Sequence, residues 1–332
     1  MKKAFALAMA LSVFGAASPA STIGEIFAFG DSLNDCCVNP AAPFTNGDES
    51  WLVRLAGLLG ATYADSPTFN FATGGAQSGQ YNAIAPGGVK EANGLLSQMA
   101  GFLAAPPSIS AGALAVIWVG TNDIWTSSYA SDTLFGVPGL DIVRPLGPNP
   151  AAGELADHVA GNIRQAVRDL RGVGFDSVLL LTPYDIGNSA LFDVPAGPAQ
   201  NAAYSEALRD RMLTLHTPGI DTYVLDTVAL IRGLQAGSPD NGFTELGTAP
   251  SCSFGAILCE ERTQEEQDSF IFYDFVHLTT ATNTAVALAA AELLRSGTPL
   301  AAIPLPAASA LYLGALFAGF FALRRRGPRA FA

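Results

Sequence analysis

Three histidines stand in the 332-residue chain, and one of them lies in a sequence suited to proton transfer. His277 sits in "FIFYDFVHLT", three residues after Asp274 and just ahead of a helical pattern that begins near Thr280. An aspartate at that spacing can reach the same side of a turn and hold one imidazole nitrogen, leaving the other to take a proton from a hydroxyl. His158 falls inside a helical pattern, and His216 follows a helix end before Thr217-Pro218; neither has a motif around it, and both read as solvated or capping side chains. The hydroxyl that fits is Ser32 of "FAFGDSLNDCC", where an apolar run ends at Gly30 and a new segment opens. Asp and Ser are also ordinary helix caps, so Gly-Asp-Ser-Leu alone reads first as a buried strand running into a capped helix.

A serine nucleophile needs donors for the oxyanion of a tetrahedral intermediate. In "AVIWVGTNDIW" an apolar run leads straight into Gly120 and Asn122, and the asparagine offers a neutral amide donor. In "NFATGGAQSG" Gly74 and Gly75 follow an expected short strand, Phe69 to Phe71, and a backbone N–H beside a glycine can approach a substrate closely. Each element alone is also a common turn.

Taken together and in this order, the four pieces resemble the GDSL lipase/esterase family, also called SGNH hydrolases, whose four blocks supply Ser, Gly, Asn and His. The resemblance spans about residues 24 to 296. It implies a flavodoxin-like three-layer α/β/α sandwich and serine ester hydrolysis through an acyl-enzyme, with no cofactor and no metal. Carried over, Ser32 is the nucleophile and Asp274 and His277 complete the triad. The backbone N–H groups of Ser32 and Gly75 and the Asn122 side chain form the oxyanion hole; Gly75 is preferred to Gly74 because it precedes Ala76, as the family's block-two glycine does. "FGDSLND", "NFATGGA", "GFTELGTAPSC" and "YDFVHLT" look most like the branch of autotransporter esterases and phospholipid–cholesterol acyltransferase-like haemolysins. Two positions depart from it: Cys36 and Cys37 stand where a Thr-Gly-Asn-like turn is common, and Leu278 stands where Pro is frequent. The first bears on the pocket beside Ser32 and leaves the substrate open between lipid esters and acylated polysaccharide. A non-catalytic surface or matrix protein reusing the fold is the alternative from another class.

The elements that must position these residues follow an α/β order. Short β-rich runs at Ile26 to Phe29, Ala115 to Val119, Ser177 to Leu181 and Thr222 to Leu225 alternate with helical patterns, which predicts a parallel sheet of about five strands with helices on both faces. The helices are expected at Trp51 to Leu59, Glu91 to Leu103, Glu154 to Leu170, Ala199 to Leu215 and Thr280 to Leu294. Ligands of such sheets gather at the carboxyl ends of the strands, where Ser32 and Asn122 fall. Two irregular segments, Ile124 to Ala152 and Gly233 to Ser269, exceed ordinary connections and border the "GTND" and "YDFVH" motifs, so a substrate-lining role is expected of them. Trp118, Trp125, Tyr129, Phe135 and Phe192 are candidates for an acyl or sugar pocket, although Trp118 suits the core as well.

The bulk of the chain sets the setting. At 49% hydrophobic it can bury one main domain, read as residues 21–298. Residues 1–20 read as a secretory signal, with Lys2 and Lys3 before an apolar run and small residues up to Ala20. Residues 299–332 carry "IPLPA", an apolar stretch at 307–323 and Arg324, Arg325 and Arg326. That tail closely resembles the VPLPA-CTERM variant of the PEP-CTERM signals cut by bacterial exosortases, with Ile303 for the usual Val; the alternative is a permanent C-terminal anchor. Export to the cell surface or matrix is expected on either reading, with an exosortase-type enzyme as a partner and the membrane met at least transiently. Removing both basic ends takes the charge from −12 to about −18, which argues against nucleic acid as a partner. In an exported chain the four cysteines are expected to be oxidised: Cys252 with Cys259, and Cys36 and Cys37 either with each other or with that loop. Their spacing fits no common zinc pattern.

Overall fold

Four parallel strands form the main sheet, in the order β1 (Glu25–Gly30), β3 (Ala113–Trp118), β5 (Ser177–Leu181) and β6 (Asp221–Leu225). In the computed structural model the described residues are 22–37, 44–129, 131–185, 197–237, 240–244, 251–253, 258–274 and 276–299. The expected signal (1–20), Phe192 and, save Pro299, the expected tail (299–332) lie outside them. Among the described residues no helix is long and apolar enough to cross a membrane. All six residues of β3 and all five of β5 are buried, because helices cover both faces of the sheet.

The helices are α1 (Trp51–Leu59), α2 (Leu95–Ala104), α3 (Thr121–Ser128), α4 (Ala152–Gly172), α5 (Gly197–Met212), α6 (Thr227–Ala236), α7 (Gln264–Asp268) and α8 (Thr280–Arg295). Helices α1 and α8 pack together, as do α2 with α4 and α4 with α5. This is the expected three-layer α/β/α architecture.

The expected strand count of about five becomes four, and the difference has a simple cause. The segment beside the outer edge of β1 makes only isolated parallel bridges, Glu25 with Thr62 and Ala28 with Asn70. A turn at Ser66, whose carbonyl accepts the N–H groups of Phe69 and Asn70, breaks it before a ladder can run. Phe69 to Phe71 therefore lies in the fifth strand's place without being a strand. Two short segments, β2 (Ile84–Pro86) and β4 (Leu140–Ile142), form a separate antiparallel pair. Helix α2 starts at Leu95 rather than Glu91, with Gly94 at its cap; a Cβ there would stand 2.4 Å from the Gly79 carbonyl oxygen. The two segments expected to be irregular contain β4, most of α3 and all of α7.

Gly30 ends β1 and sets the course of the chain beyond it. Its φ is +122°, and a Cβ on it would lie 1.9 Å from the Trp118 carbonyl oxygen of the neighbouring strand. The Gln98 side chain closes a reciprocal pair on it, accepting the Gly30 N–H at 2.8 Å and donating to the Gly30 carbonyl at 2.8 Å. Gly30→Ala should therefore destabilise the fold by about 2–4 kcal/mol, from backbone strain and the clash together. Urea unfolding of the two proteins measures this, and a change below about 0.5 kcal/mol would contradict it.

Candidate active site

The chain leaves β1 in a tight turn rather than a helix. The Asp31 carbonyl accepts the N–H groups of Asn34 and Asp35 at 3.0 Å, and Asp31 Oδ1 accepts the Leu33 N–H at 3.0 Å. Asp31 does the capping, which frees Ser32 from that role. The Ser32 hydroxyl instead lies 2.8 Å from His277 Nε2.

His277 Nδ1 stands 2.6 Å from Asp274 Oδ2, so the row Asp274, His277, Ser32 is continuous. An ionised Asp274 cannot donate; the imidazole then carries its proton on Nδ1, and Nε2 is left to accept from Ser32. Asp274 Oδ1 also accepts the backbone N–H groups of Val276 and His277, each at 2.8 Å. Burial pushes the Asp274 carboxyl up, but the His277 charge and these hydrogen bonds outweigh it and hold it below its ordinary value. The loop is closed at its base, where the Tyr273 N–H donates to the His277 carbonyl and Thr279 N–H to the Ile271 carbonyl. Thr279 then caps α8, and from the far side of the sheet edge the Tyr184 hydroxyl donates to the Val276 carbonyl.

The expected oxyanion donors gather on the same edge. Gly75 has φ +78°, and a Cβ there would meet the Asn82 side chain at 2.4 Å. Asn82 in turn donates to the Gly74 carbonyl at 2.8 Å. Asn122 Nδ2 donates one hydrogen to the Ala76 carbonyl at 3.0 Å, and Asn122 Oδ1 accepts the Trp125 indole N–H at 2.8 Å. The indole fixes which way the amide faces and leaves its second hydrogen for a ligand. Among the described residues no acceptor meets the backbone N–H of Ser32 or of Gly75.

Some of the residues that build this site have no role readable from the motifs. Asp35 is buried, and its carboxylate bridges Ser32's turn to the glycine loop by accepting Cys37 N–H at 3.0 Å and Gly74 N–H at 2.8 Å. Tyr184 and Gln98 act over similarly long range. Trp118 is core; Trp125 packs edge-on against Tyr129, 5.8 Å between centroids, and serves Asn122. The side chain of Phe135 lies outside the described residues. His216 is exposed, and His158 contacts Asn162 at 3.2 Å. The cysteines pair as Cys36 with Cys37 and Cys252 with Cys259. Cys36, Cys37 and Asp65 bring ligand-type atoms within 4.8 Å of one another, but both sulfurs are committed to the disulfide. Leu278, in the place where Pro is frequent, is buried in the core.

Two further carboxyls lie beneath the site. Burial, helped by the nearby Asp123 and Asp35 charges, pushes Asp31 up to about 8 despite its hydrogen bond from Leu33. Burial likewise pushes Asp123 up to about 6, against two opposing hydrogen bonds from Ser78, both at 2.8 Å. A carboxyl whose pKa is higher folded than unfolded favours the folded state at low pH, and that advantage drains as pH rises through the folded value. Stability contributed by this pair should thus fall as pH rises from the ordinary carboxylate range, the Asp123 share being spent by about 6 and the Asp31 share by about 8. Asp31→Asn should flatten the fall between pH 6 and 8 when unfolding free energy is measured from pH 6 to 9; parallel curves for the two proteins would contradict it.

No curated protein matches the chain. Two solved structures similar to it are a variant of Axe2, an acetyl-xylooligosaccharide esterase from Geobacillus stearmophilus, and a member of the lipolytic protein G-D-S-L family from Veillonella parvula. The first is 14% identical and covers 82% of this chain and 96% of its own, with a TM-score of 0.45. The second is 14% identical and covers 81% and 97%, with a TM-score of 0.42. The model of the GDSL-like lipase/acylhydrolase family matches residues 28–249, a span that holds Ser32, Gly75 and Asn122 and stops short of Asp274 and His277. It takes in about two thirds of the chain, which therefore belongs to the GDSL-like lipase/acylhydrolase family of ester-bond hydrolases.

Proposed function

We propose that this protein is an exported serine esterase that cleaves carboxylic esters through Ser32, His277 and Asp274. The observation that carries the reading is the unbroken row of contacts, 2.6 Å from carboxylate to imidazole and 2.8 Å from imidazole to hydroxyl. His277 Nε2 takes the Ser32 proton as Oγ attacks the ester carbonyl. The oxyanion that forms is met by the N–H groups of Ser32 and Gly75 and by the free Asn122 amide hydrogen. Collapse breaks the bond to the alcohol oxygen, which receives the proton from His277 and leaves. Water, deprotonated by the same nitrogen, then releases the acid from Ser32. Asp274 stays ionised throughout and holds the imidazole in register.

The setting belongs to the same proposal. Residues 1–20 direct export, and residues 299–332 form a sorting tail for an exosortase-type enzyme, which puts the mature protein at the bacterial surface or in the matrix. Within the family, the motifs favour the autotransporter-esterase and haemolysin-like branch. Lipid esters and O-acetylated polysaccharide are the candidate substrates.

Full-length protein made in an oxidising compartment tests this on p-nitrophenyl esters from acetyl to long acyl. Ser32→Ala should lower kcat/KM more than about 10³-fold. Asn122→Ala should lower it ~10²- to 10³-fold while the circular dichroism stays that of the folded protein. Equal turnover by the Ser32→Ala protein, or none by the folded wild type, would replace the esterase with a binding protein on the same fold.

A further inference from the structure

Phe44 lies against the base and against the glycine loop at once. Its ring stacks on the imidazole of His277, with centroids 4.6 Å apart and planes 22° from parallel. Its other end abuts Gly74, where an added Cβ would fall 3.1 Å from Phe44 Cζ. The ring therefore spans the side of the site between the proton-transfer nitrogen and the residue next to the oxyanion donor Gly75.

The next residues along the chain hold it there. Asn46 Oδ1 accepts the Thr280 N–H at 2.7 Å, Asn46 Nδ2 donates to Gln267 Oε1 at 2.9 Å, and the hydroxyls of Thr45 and Thr280 lie 3.2 Å apart. The same end of α8 that comes after His277 thus anchors the segment carrying Phe44. Phe44 keeps part of its surface open, so it can meet a ligand.

Which part of an ester meets it is set by the reaction. When the carbonyl carbon–alcohol bond breaks, the alcohol oxygen takes the proton from His277 Nε2, so that oxygen must lie beside the imidazole. The group attached to that oxygen continues past the imidazole edge, along the side that Phe44 closes. The acyl chain leaves the same carbon in a different direction.

We propose that Phe44 is the wall of the leaving-group subsite, and that the enzyme selects esters whose alcohol part offers an uncharged, apolar surface, such as a ring or a branched alkyl group. This rests on the esterase reading above. An apolar wall gains contact as apolar area on the alcohol grows and offers nothing to a charged headgroup.

Two substrate series on the full-length enzyme separate the alternatives. One holds the acetyl group constant and varies the alcohol through ethyl, butyl and cyclohexyl; the other holds p-nitrophenol constant and varies the acyl chain. In wild type, kcat/KM should rise along the alcohol series. In Phe44→Ala the cyclohexyl-to-ethyl ratio should fall about 3- to 10-fold, while the shape of the acyl profile stays fixed. Phe44→Tyr should keep most of the ratio. An unchanged alcohol ratio, or a change confined to the acyl series, overturns the proposal. A second measurement needs no turnover: cyclohexanol binding to Ser32→Ala protein, followed by NMR, should weaken by a similar factor when Phe44→Ala is added. If wild type hydrolyses no ester yet this binding depends on Phe44, the esterase reading fails, the leaving-group role falls with it, and Phe44 is left as an apolar binding wall. If neither turnover nor binding depends on Phe44, the subsite fails alone.

Discussion

The close passage of Gly30 over the Trp118 carbonyl is the constraint on which the site depends. Parallel strands leave their last backbone groups facing the carboxyl edge of the sheet, and the chain must turn there without wasting them. The Asp31 N–H donates to that same Trp118 carbonyl at 3.0 Å, so β1 makes one more interstrand bond while already turning away. Only a residue without a side chain fits this geometry at φ +122°. With the turn fixed, Asp31 points inward and Ser32 is thrown out toward His277.

Carboxylates do much of the positioning, and each has a different environment. Asp274 accepts two backbone N–H groups beside its imidazole and stays charged. Asp35 ties two loops that the sheet brings near each other but does not join. Asp31 has one oxygen with no hydrogen-bond partner among the described residues, and its neighbours are acidic. On the proposed mechanism a second negative charge beneath Ser32 would oppose formation of an oxyanion above it, so a protonated Asp31 favours that chemistry.

Much of this architecture can be read from residues alone, for reasons that differ by element. Strands buried on both faces appear as unbroken apolar runs, so all four were legible to within two residues. Helix α3 escapes because every residue of "TNDIWTSS" is buried, which erases the one-sided periodicity, and because two of its hydroxyls bond its own carbonyls, Thr126 on Asn122 at 2.7 Å and Ser128 on Ile124 at 3.2 Å. Ser32, Gly75, Asn122, Asp274 and His277 stand out as candidates because their motifs are local. Asp35 lies within "FGDSLND", yet its bridging role and that of Tyr184 do not stand out, since their partners lie 39 and 92 residues away and no spacing rule links them. Phe44 left no sign for the same reason.

The two disulfides differ in their contribution to the folded chain. Joining Cys252 to Cys259 closes a loop across a separation of 7 and removes enough freedom from the unfolded chain to stabilise the fold by about 2–3 kcal/mol. Joining Cys36 to its neighbour Cys37 closes no loop to speak of, and their Cα atoms, 3.7 Å apart, are already set at that distance by the peptide bond between them. The entropy removed from the unfolded chain is therefore close to nil. The second bond supplies stiffness in the two residues after Asp35, a tether on shape rather than on stability, and it lies next to the turn that holds Ser32.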